Sequence, residues 1–334
     1  MARRSMEIRG HRALLPALGL AISLLGMSLT APQRAAAQSA PAQAALAQTS
    51  VTSAESEWRQ DLDRWRTRRA QEIHAPDGWL TLVALDWLKP GANSIGAAAD
   101  NQIQLHADVP DHIGMLIVSG KTVQLLPIAG GLPDDLTIDG KPAHEGPLAV
   151  QGAKPSIIGW HGVSMIVLAR GDRFALRIKD ANAPARKAFH GLNWYAADPN
   201  LSVTAQWIPF TPPQIEKIPT VIGTTLDMPA PGVAEFQLGG ATYRLEPVLE
   251  SPGEKTLFFI LRDATSKSTT YQAARFLHTP FPDHGLDKPG TLILDFNRLE
   301  NPPCAYTSYA TCPLPPDKNR LPVAIEAGEK RYTP

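Results

Sequence analysis

Between residues 53 and 74 the large apolar residues Trp58, Leu62, Trp65 and Ile73 recur at helical spacing, with arginines assigned to the other faces. The pattern predicts one amphipathic helix, with Ser53 as its cap and Asp77-Gly78 as its end. Its tryptophan stripe is expected to pack on the domain that follows, because acidic residues break the basic face that a membrane surface would need. From Trp79 onward the period changes to short runs rich in Val, Ile and Leu, separated by Pro, Gly and Asp. These predict strands over 79–85, 101–105, 115–118, 122–126, 136–139, 163–168 and 174–179. Gly171-Asp172 reads as a hairpin turn and Asp139-Gly140 as a further tight turn. A second set follows over 202–208, 233–238, 242–249, 257–262, 271–277 and 292–296, with Gly239-Gly240 as a hairpin turn and a last short strand at 323–326. The expectation is an all-β chain with one N-terminal helix. A sandwich over 79–180 precedes a second β-rich domain, barrel or sandwich, over 200–332, and a single continuous structure is the alternative.

Composition sharpens this. The 31 prolines and 25 glycines in 334 residues suit many short elements joined by turns, and not a helical bundle. Lys plus Arg equals Asp plus Glu at 32 each, so nothing points to a nucleic-acid binder. At the N-terminus Arg3, Arg4, Arg9 and Arg12 precede an apolar run over 13–29 and the small residues Ala35-Ala36-Ala37. That is the layout of a secretory signal peptide over 1–37. A periplasmic or secreted chain without a membrane anchor is expected after cleavage near Ala37, and 38–52 reads as a flexible leader.

The sequence-local signatures G-x-S-x-G, P-loop, H-E-x-x-H and G-x-G-x-x-G are absent. His106 with His112, and His278 with His284 beside Asp283, have spacings that suit loops, so neither a metal nor a cofactor is expected. Cys304 and Cys312 lie close together in CAYTSYATC, inside a proline-rich loop, and predict a disulfide in an exported protein; the rival reading is a reactive thiol near Arg298 and Arg320. Polar residues gather at strand ends in the last third. Arg275, Asp295, Asn297, Arg298, Asn301 and Arg320 could line a ligand site, with Tyr306 and Tyr309 on its rim and Asp295 or Glu326 as a general base. A small polar molecule, a glycan or a carboxylated metabolite, is the expected partner; a hydrolase or transferase and a protein-interaction scaffold are the alternatives. The structural alternative is that Asp and Asn cap turns, Arg and Asp form structural pairs, and the tyrosines cover a sheet edge.

The blocks PDGWLTLVALDWLKPGANSIG, ARGDRFALRIKD, LFFILRDATS, YQAARFL and LDFNRLENPPCAYTSYATCPLPPDKNRLPVAIEAGEK resemble the bacterial family catalogued as domain of unknown function 1684. The likeness runs over 58–332 and implies no activity. The segment LKPGANSIGAAADNQIQL also resembles the opening of a forkhead-associated domain, through Gly96 and Asn101-x-Ile103. That resemblance implies a β-sandwich. It does not imply phosphopeptide reading, because Ala97 stands where the phosphate-holding Arg belongs and no Ser-x-x-His follows.

Overall fold

The computed structural model describes residues 40–150 and 154–334, with side chains from Ser53 onward. The signal peptide read over 1–37 lies outside these residues. Helix α1 spans Ala40–His74, so it begins inside the stretch read as a flexible leader and Ser53 lies within it instead of capping it. Residues 40–52 are rich in Ala and Gln, both strong helix formers, and that propensity carries the helix past the expected start. Residues Ser53–Pro334 form one compact unit, described below.

Its first half holds β1 (Leu82–Trp87), β2 (Gly91–Gly96), β3 (Ile103–Gln104), β4 (Gly114–Ser119), β5 (Thr122–Leu126) and β6 (Thr137–Ile138). Next come β7 (Lys141–Pro142), β8 (Gly146–Leu148), β9 (Ile157–Trp160), β10 (Val163–Arg170) and β11 (Arg173–Asp180). They make a six-stranded sheet, β1-β11-β10-β9-β6-β7, and a five-stranded sheet, β3-β2-β4-β5-β8. The alternating apolar positions of both sheets, among them Ile95, Leu116, Leu125, Ile158, Met165 and Leu176, meet in one buried core. The short helix α2 (Pro184–Lys187) leads to the second half: β12 (Ser202–Pro219), β13 (Thr225–Leu238), β14 (Ala241–Leu245), β15 (Thr256–Leu261), β16 (Arg275–Pro280) and β17 (Gly290–Asp295). Here a four-stranded sheet, β14-β13-β12-β17, and a two-stranded sheet, β15-β16, share a core around Trp207, Phe236, Phe259 and Phe296. The described residues are thus mostly strand with one long helix, and none of the four sheets closes into a barrel.

The three tight turns follow the sequence reading. Arg170 pairs with Arg173 across Gly171-Asp172, Ile138 with Lys141 across Asp139-Gly140, and Leu238 with Ala241 across Gly239-Gly240. Gly239 and Gly240 have φ of 58° and 79°, the left-handed pair that a type I′ hairpin turn requires. Strand bounds differ more. Residues Trp79–Thr81 form a 3-10 turn before β1, and the predicted strand over 323–326 is irregular. β12 and β13 run for 18 and 14 residues, well past the predicted 202–208 and 233–238. Prolines conceal this long hairpin in sequence: Pro209, Pro212 and Pro213 cluster where its register shifts, between Pro209 and Gln214. β2 escapes a hydrophobic reading because its Gly96 must be small; a Cβ there would meet the Asp111 carbonyl oxygen at 2.1 Å.

A bulge at Val83 joins the two halves. Leu82 pairs with Lys179 and Ala84 with Ile178, so the extra residue turns Leu82 to the face of the sheet opposite Ala84. There Leu82 enters a third cluster with Ile218, Val248, Phe258, Phe276, Ala310 and Cys312, all from the second half. The outer face of β10 and β11 is thereby set against β15, β16 and the 303–313 loop.

Candidate functional site

The polar residues marked in the sequence divide among several structural networks. Arg275 is 1% exposed and donates to Asp263 Oδ2 (2.7 Å) and to the carbonyls of Ile325 (2.9 Å) and Ala327. Its guanidinium therefore pins the irregular C-terminal segment to β16. Asp295 accepts from Trp58 Nε1 (3.0 Å), from the Asn297 amide and side chain (3.1 and 2.9 Å) and from Arg298 Nε (3.3 Å). Asn297 also holds Asp198, and Arg298 pairs with Asp61, so this group fastens α1 and the 198–200 turn to the end of β17. Asn301 and Tyr306 meet at Glu329: the Asn301 amide and the Tyr306 hydroxyl donate to Oε2 at 2.7 and 2.8 Å. Arg320 is half exposed, pairs with Asp317 at 3.3 Å and lines a depression with Glu216 and Lys318. Tyr309 and Glu326 are exposed. None of these residues lines the cleft described below.

The expected disulfide is absent. Cys304 and Cys312 are free thiols, and the Cys304 amide donates to Cys312 Sγ at 3.1 Å. Cys312 is spent on packing, buried in the cluster that joins the halves. Other bonds already order the loop: Tyr271 Oη to the Cys304 carbonyl (2.8 Å) and Thr307 Oγ1 to the Leu82 carbonyl (3.0 Å). The hydrogen bond between the two thiols pushes Cys304 below the usual thiol pKa and Cys312 above it.

The chemistry that stands unsatisfied is elsewhere. A cleft of about 360 Å³ opens between the outer face of β10 and β11, the β15-β16 pair and the 303–313 loop. From the first half it receives Arg170, at the end of β10, and Arg177, whose register partners on the same sheet are Leu85 and Ile166. Arg177 Nε is buried with no hydrogen-bond partner, and its guanidinium lies over the Trp79 ring, 5.6 Å from the centroid. Arg170 reaches only neutral acceptors, Thr311 Oγ1 (3.3 Å) and the Ala169 carbonyl (2.9 Å). No carboxylate among the described residues pairs with either. Burial, and then the charge of Arg170, lowers the Arg177 pKa to about 10, and burial lowers that of Arg170.

From the second half the cleft receives Glu250, His278 and Glu300 above a floor that includes Phe258 and Phe276. His278 stacks on Phe258 with centroids 4.6 Å apart, and its Nε2 lies 2.9 Å from Glu250 Oε2. Burial disfavours its protonated form, but the bond to Glu250 and the charge of Glu300 outweigh that and raise its pKa. Glu300 is raised by burial and held by Arg69, whose Nε is 3.3 Å from it and 3.0 Å from Glu329. Arg69 lies on the buried stripe of α1, seven residues after the fully buried Leu62 and not on the solvent faces expected for the arginines. Asn301 and Tyr306, candidates from the sequence, therefore act behind the cleft: they hold Glu329, which with Glu300 fixes Arg69.

Sequence reasoning passed over Arg170, Arg177, Glu250 and Glu300, and saw His278 only beside His284. In ARGDRFALRIKD the arginines alternate with Phe174, Leu176 and Ile178, the ordinary pattern of a strand with one solvated face. What marks Arg177 is that its solvated side is covered, and that is a tertiary fact.

Residues 187–330 match the family described as Protein of unknown function (DUF1684). The match includes Glu250, His278, Glu300 and the 303–313 loop, while Arg170 and Arg177 precede it. No curated protein matches the chain. Five solved chains do. Among them is an uncharacterized protein of Haloarcula marismortui, determined by solution NMR, which is 30% identical over 43% of this chain and 78% of that one, with a TM-score of 0.37.

Proposed function

We propose that the protein binds a small molecule bearing a carboxylate or phosphate in the cleft between β10-β11 and β15-β16, with Arg170 and Arg177 as its charged contacts. The observation that carries this reading is the unpaired state of two half-buried guanidiniums in one cavity. Arg69 and Arg275, the arginines buried for structural reasons, each hold a carboxylate. A desolvated cation beside a second one raises the free energy of the folded chain unless something anionic is received there, and the guanidinium fork suits carboxylate and phosphate alike. A volume of about 360 Å³ lies in the range of small-molecule sites.

The forkhead-associated resemblance adds no second site. Asn101 Nδ2 is used on the carbonyls of Ala98 (2.9 Å) and Asp111 (2.7 Å), and Gly96 is required by backbone packing. Export with cleavage near Ala37 belongs to the same proposal, and would make the ligand a solute outside the cytoplasm; an N-terminus at Gln38 in protein recovered from the producing cell supports it, and an intact Met1 removes it.

Thermal unfolding at constant ionic strength in chloride, orthophosphate, citrate or 3-phenylpropionate tests the binding site. The phosphate and carboxylate arms separate the two ligand sources. At least one anion is expected to raise the Tm of the wild type and to leave Arg177→Met unmoved; at 100 times Kd the stabilisation is about 2.7 kcal/mol. A wild type insensitive to every anion, or an Arg177→Met protein that responds like it, contradicts the proposal.

A further inference from the structure

The cleft's two walls carry opposite charge. On the first-half side stand Arg170 and Arg177, with Lys179 next to Arg177, and the one carboxylate that acts on this group is Asp77, on Lys179. On the second-half side Glu250 and Glu300 line the cleft, and the charges of Glu72, Glu254 and Glu329 are felt at Glu300 or His278. Five carboxylates there stand against one arginine, Arg69, and one imidazole, His278, so that wall is negative.

Opposite charges that share one cavity would lower their energy by pairing. Among the described residues no ion pair crosses the cleft, because each group is held on its own side. Arg170 is tied to Thr311 and Ala169, Arg177 lies over Trp79, Glu250 is bonded to His278, and Glu300 to Arg69. Arg170 and Arg177 stand on β10 and β11, Glu300 is held by the buried Arg69, and Glu250, in a bend, is held by His278 on β16. A cavity between fixed walls of opposite sign favours a solute that is itself dipolar and can lie with its poles reversed to theirs. Glu250 supplies a specific contact for the positive pole. Its Oε2 meets His278, its Oε1 has no protein donor among the described residues, and its side chain is 43% exposed. Phe258, Phe276 and Trp79 add apolar ring surface suited to an apolar body between the poles.

We infer that the ligand of this cleft is amphoteric: an amino acid or a close derivative, whose acid group lies on Arg170 and Arg177 and whose ammonium is held by Glu250. The inference rests on the anion site proposed above and adds the second pole to it. It restricts the ligand class, since a simple carboxylate or phosphate satisfies one wall and leaves the other unanswered.

Matched pairs that differ by one amine test it: phenylalanine against 3-phenylpropionate, and γ-aminobutyrate against butyrate, titrated calorimetrically into the purified protein near neutral pH. In at least one pair the amino compound is expected to bind about tenfold more tightly than its partner, the size of effect a partly desolvated charge contact supports. Glu250→Gln should bring the pair level while the simple acid keeps its wild-type affinity, and Arg177→Met should abolish binding of both members. Glu250 is exposed, so its variant keeps the fold, which an unchanged circular dichroism spectrum verifies. Equal affinities within both pairs, or a preference that survives Glu250→Gln, overturn the amphoteric ligand and leave the anion site standing. If none of the four compounds binds the wild type, the second pole falls with them, and the anion panel of the preceding subsection decides the fate of the first.

Discussion

Arg275 and Arg177 sit on neighbouring parts of the same joined structure, and both lie on strands with buried apolar neighbours. Arg275 gives its protons to Asp263, Ile325 and Ala327. Arg177 Nε is buried and finds no acceptor among the described residues. The first side chain is a tether and the second is the one proposed above as a receptor; residue type, strand position and local sequence do not separate them, whereas the inventory of partners does. The same contrast divides the carboxylates. Glu329 is consumed by Arg69, Asn301 and Tyr306, while Glu250 keeps one oxygen unassigned.

The comparison can be broken from its structural side first. Arg275→Met leaves Asp263 buried without its cation, and is expected to cost about 3–5 kcal/mol in urea unfolding. A cost below about 1 kcal/mol would show that Arg275 is no tether. Glu329→Gln keeps a side-chain acceptor for Tyr306 and Asn301 but takes a charge from Arg69, and about 2 kcal/mol is expected. A neutral result would move the fastening of α1 to Glu300 alone. Arg177→Met should change stability by less than about 1 kcal/mol, or raise it, because it removes a desolvated cation with no partner. A large loss would place Arg177 among the tethers.

The pH dependence sharpens the same division. His278 has its folded pKa raised above the ordinary 6.5 by Glu250 and Glu300 against the opposing effect of burial. A raised pKa means that the folded chain binds the proton more tightly than the unfolded one. The stabilisation is therefore full below about pH 6.5 and is lost as pH rises through the higher folded value. Unfolding between pH 6 and 9 should show stability falling with pH in the wild type, and a flatter profile in His278→Gln; identical profiles would mean that the imidazole is not engaged as described. The smallest effect is expected at Arg320, half exposed and paired only with Asp317. Arg320→Ala should change stability by about 0.5 kcal/mol or less and leave anion binding intact.

These contrasts also explain what could be read from the chain before its structure. The turns at Gly171, Gly140 and Gly240 were legible because backbone conformation at a two-residue hairpin is a local demand. The strand character of β4, β5, β10 and β11 was legible because alternation reports one buried face. The long β12-β13 hairpin was not, since Pro209, Pro212 and Pro213 imitate a break and only the partner strand shows that the ladder resumes beyond them. For the candidate site the sequence marked polar residues in the last third of the chain, whereas the cleft takes Arg170 and Arg177 from the first half together with Glu250, His278 and Glu300 from the second. Asp295, Asn297 and Asn301 caught attention as polar residues at strand ends; the chain uses Asp295 to accept from a backbone amide and the two asparagines to donate to backbone carbonyls. Arg170 and Arg177 looked like solvated strand residues because the bulge at Val83, which brings the second half over them, has no signature in sequence. The cysteines misled for a related reason: close spacing permits a bond, and the packing of Cys312 settles the matter otherwise.

The central claim is that Arg170 and Arg177 form a receptor and not a support. Calorimetric titration of phenylalanine and of orthophosphate into the wild type and the double variant Arg170→Met/Arg177→Met, with urea unfolding of both proteins in the same buffer, tests it most directly. A saturable heat is expected with at least one of the two ligands in the wild type and none in the variant, with unfolding free energies within about 1 kcal/mol of each other. A variant that binds as the wild type does, or one that has lost several kcal/mol of stability, would contradict it.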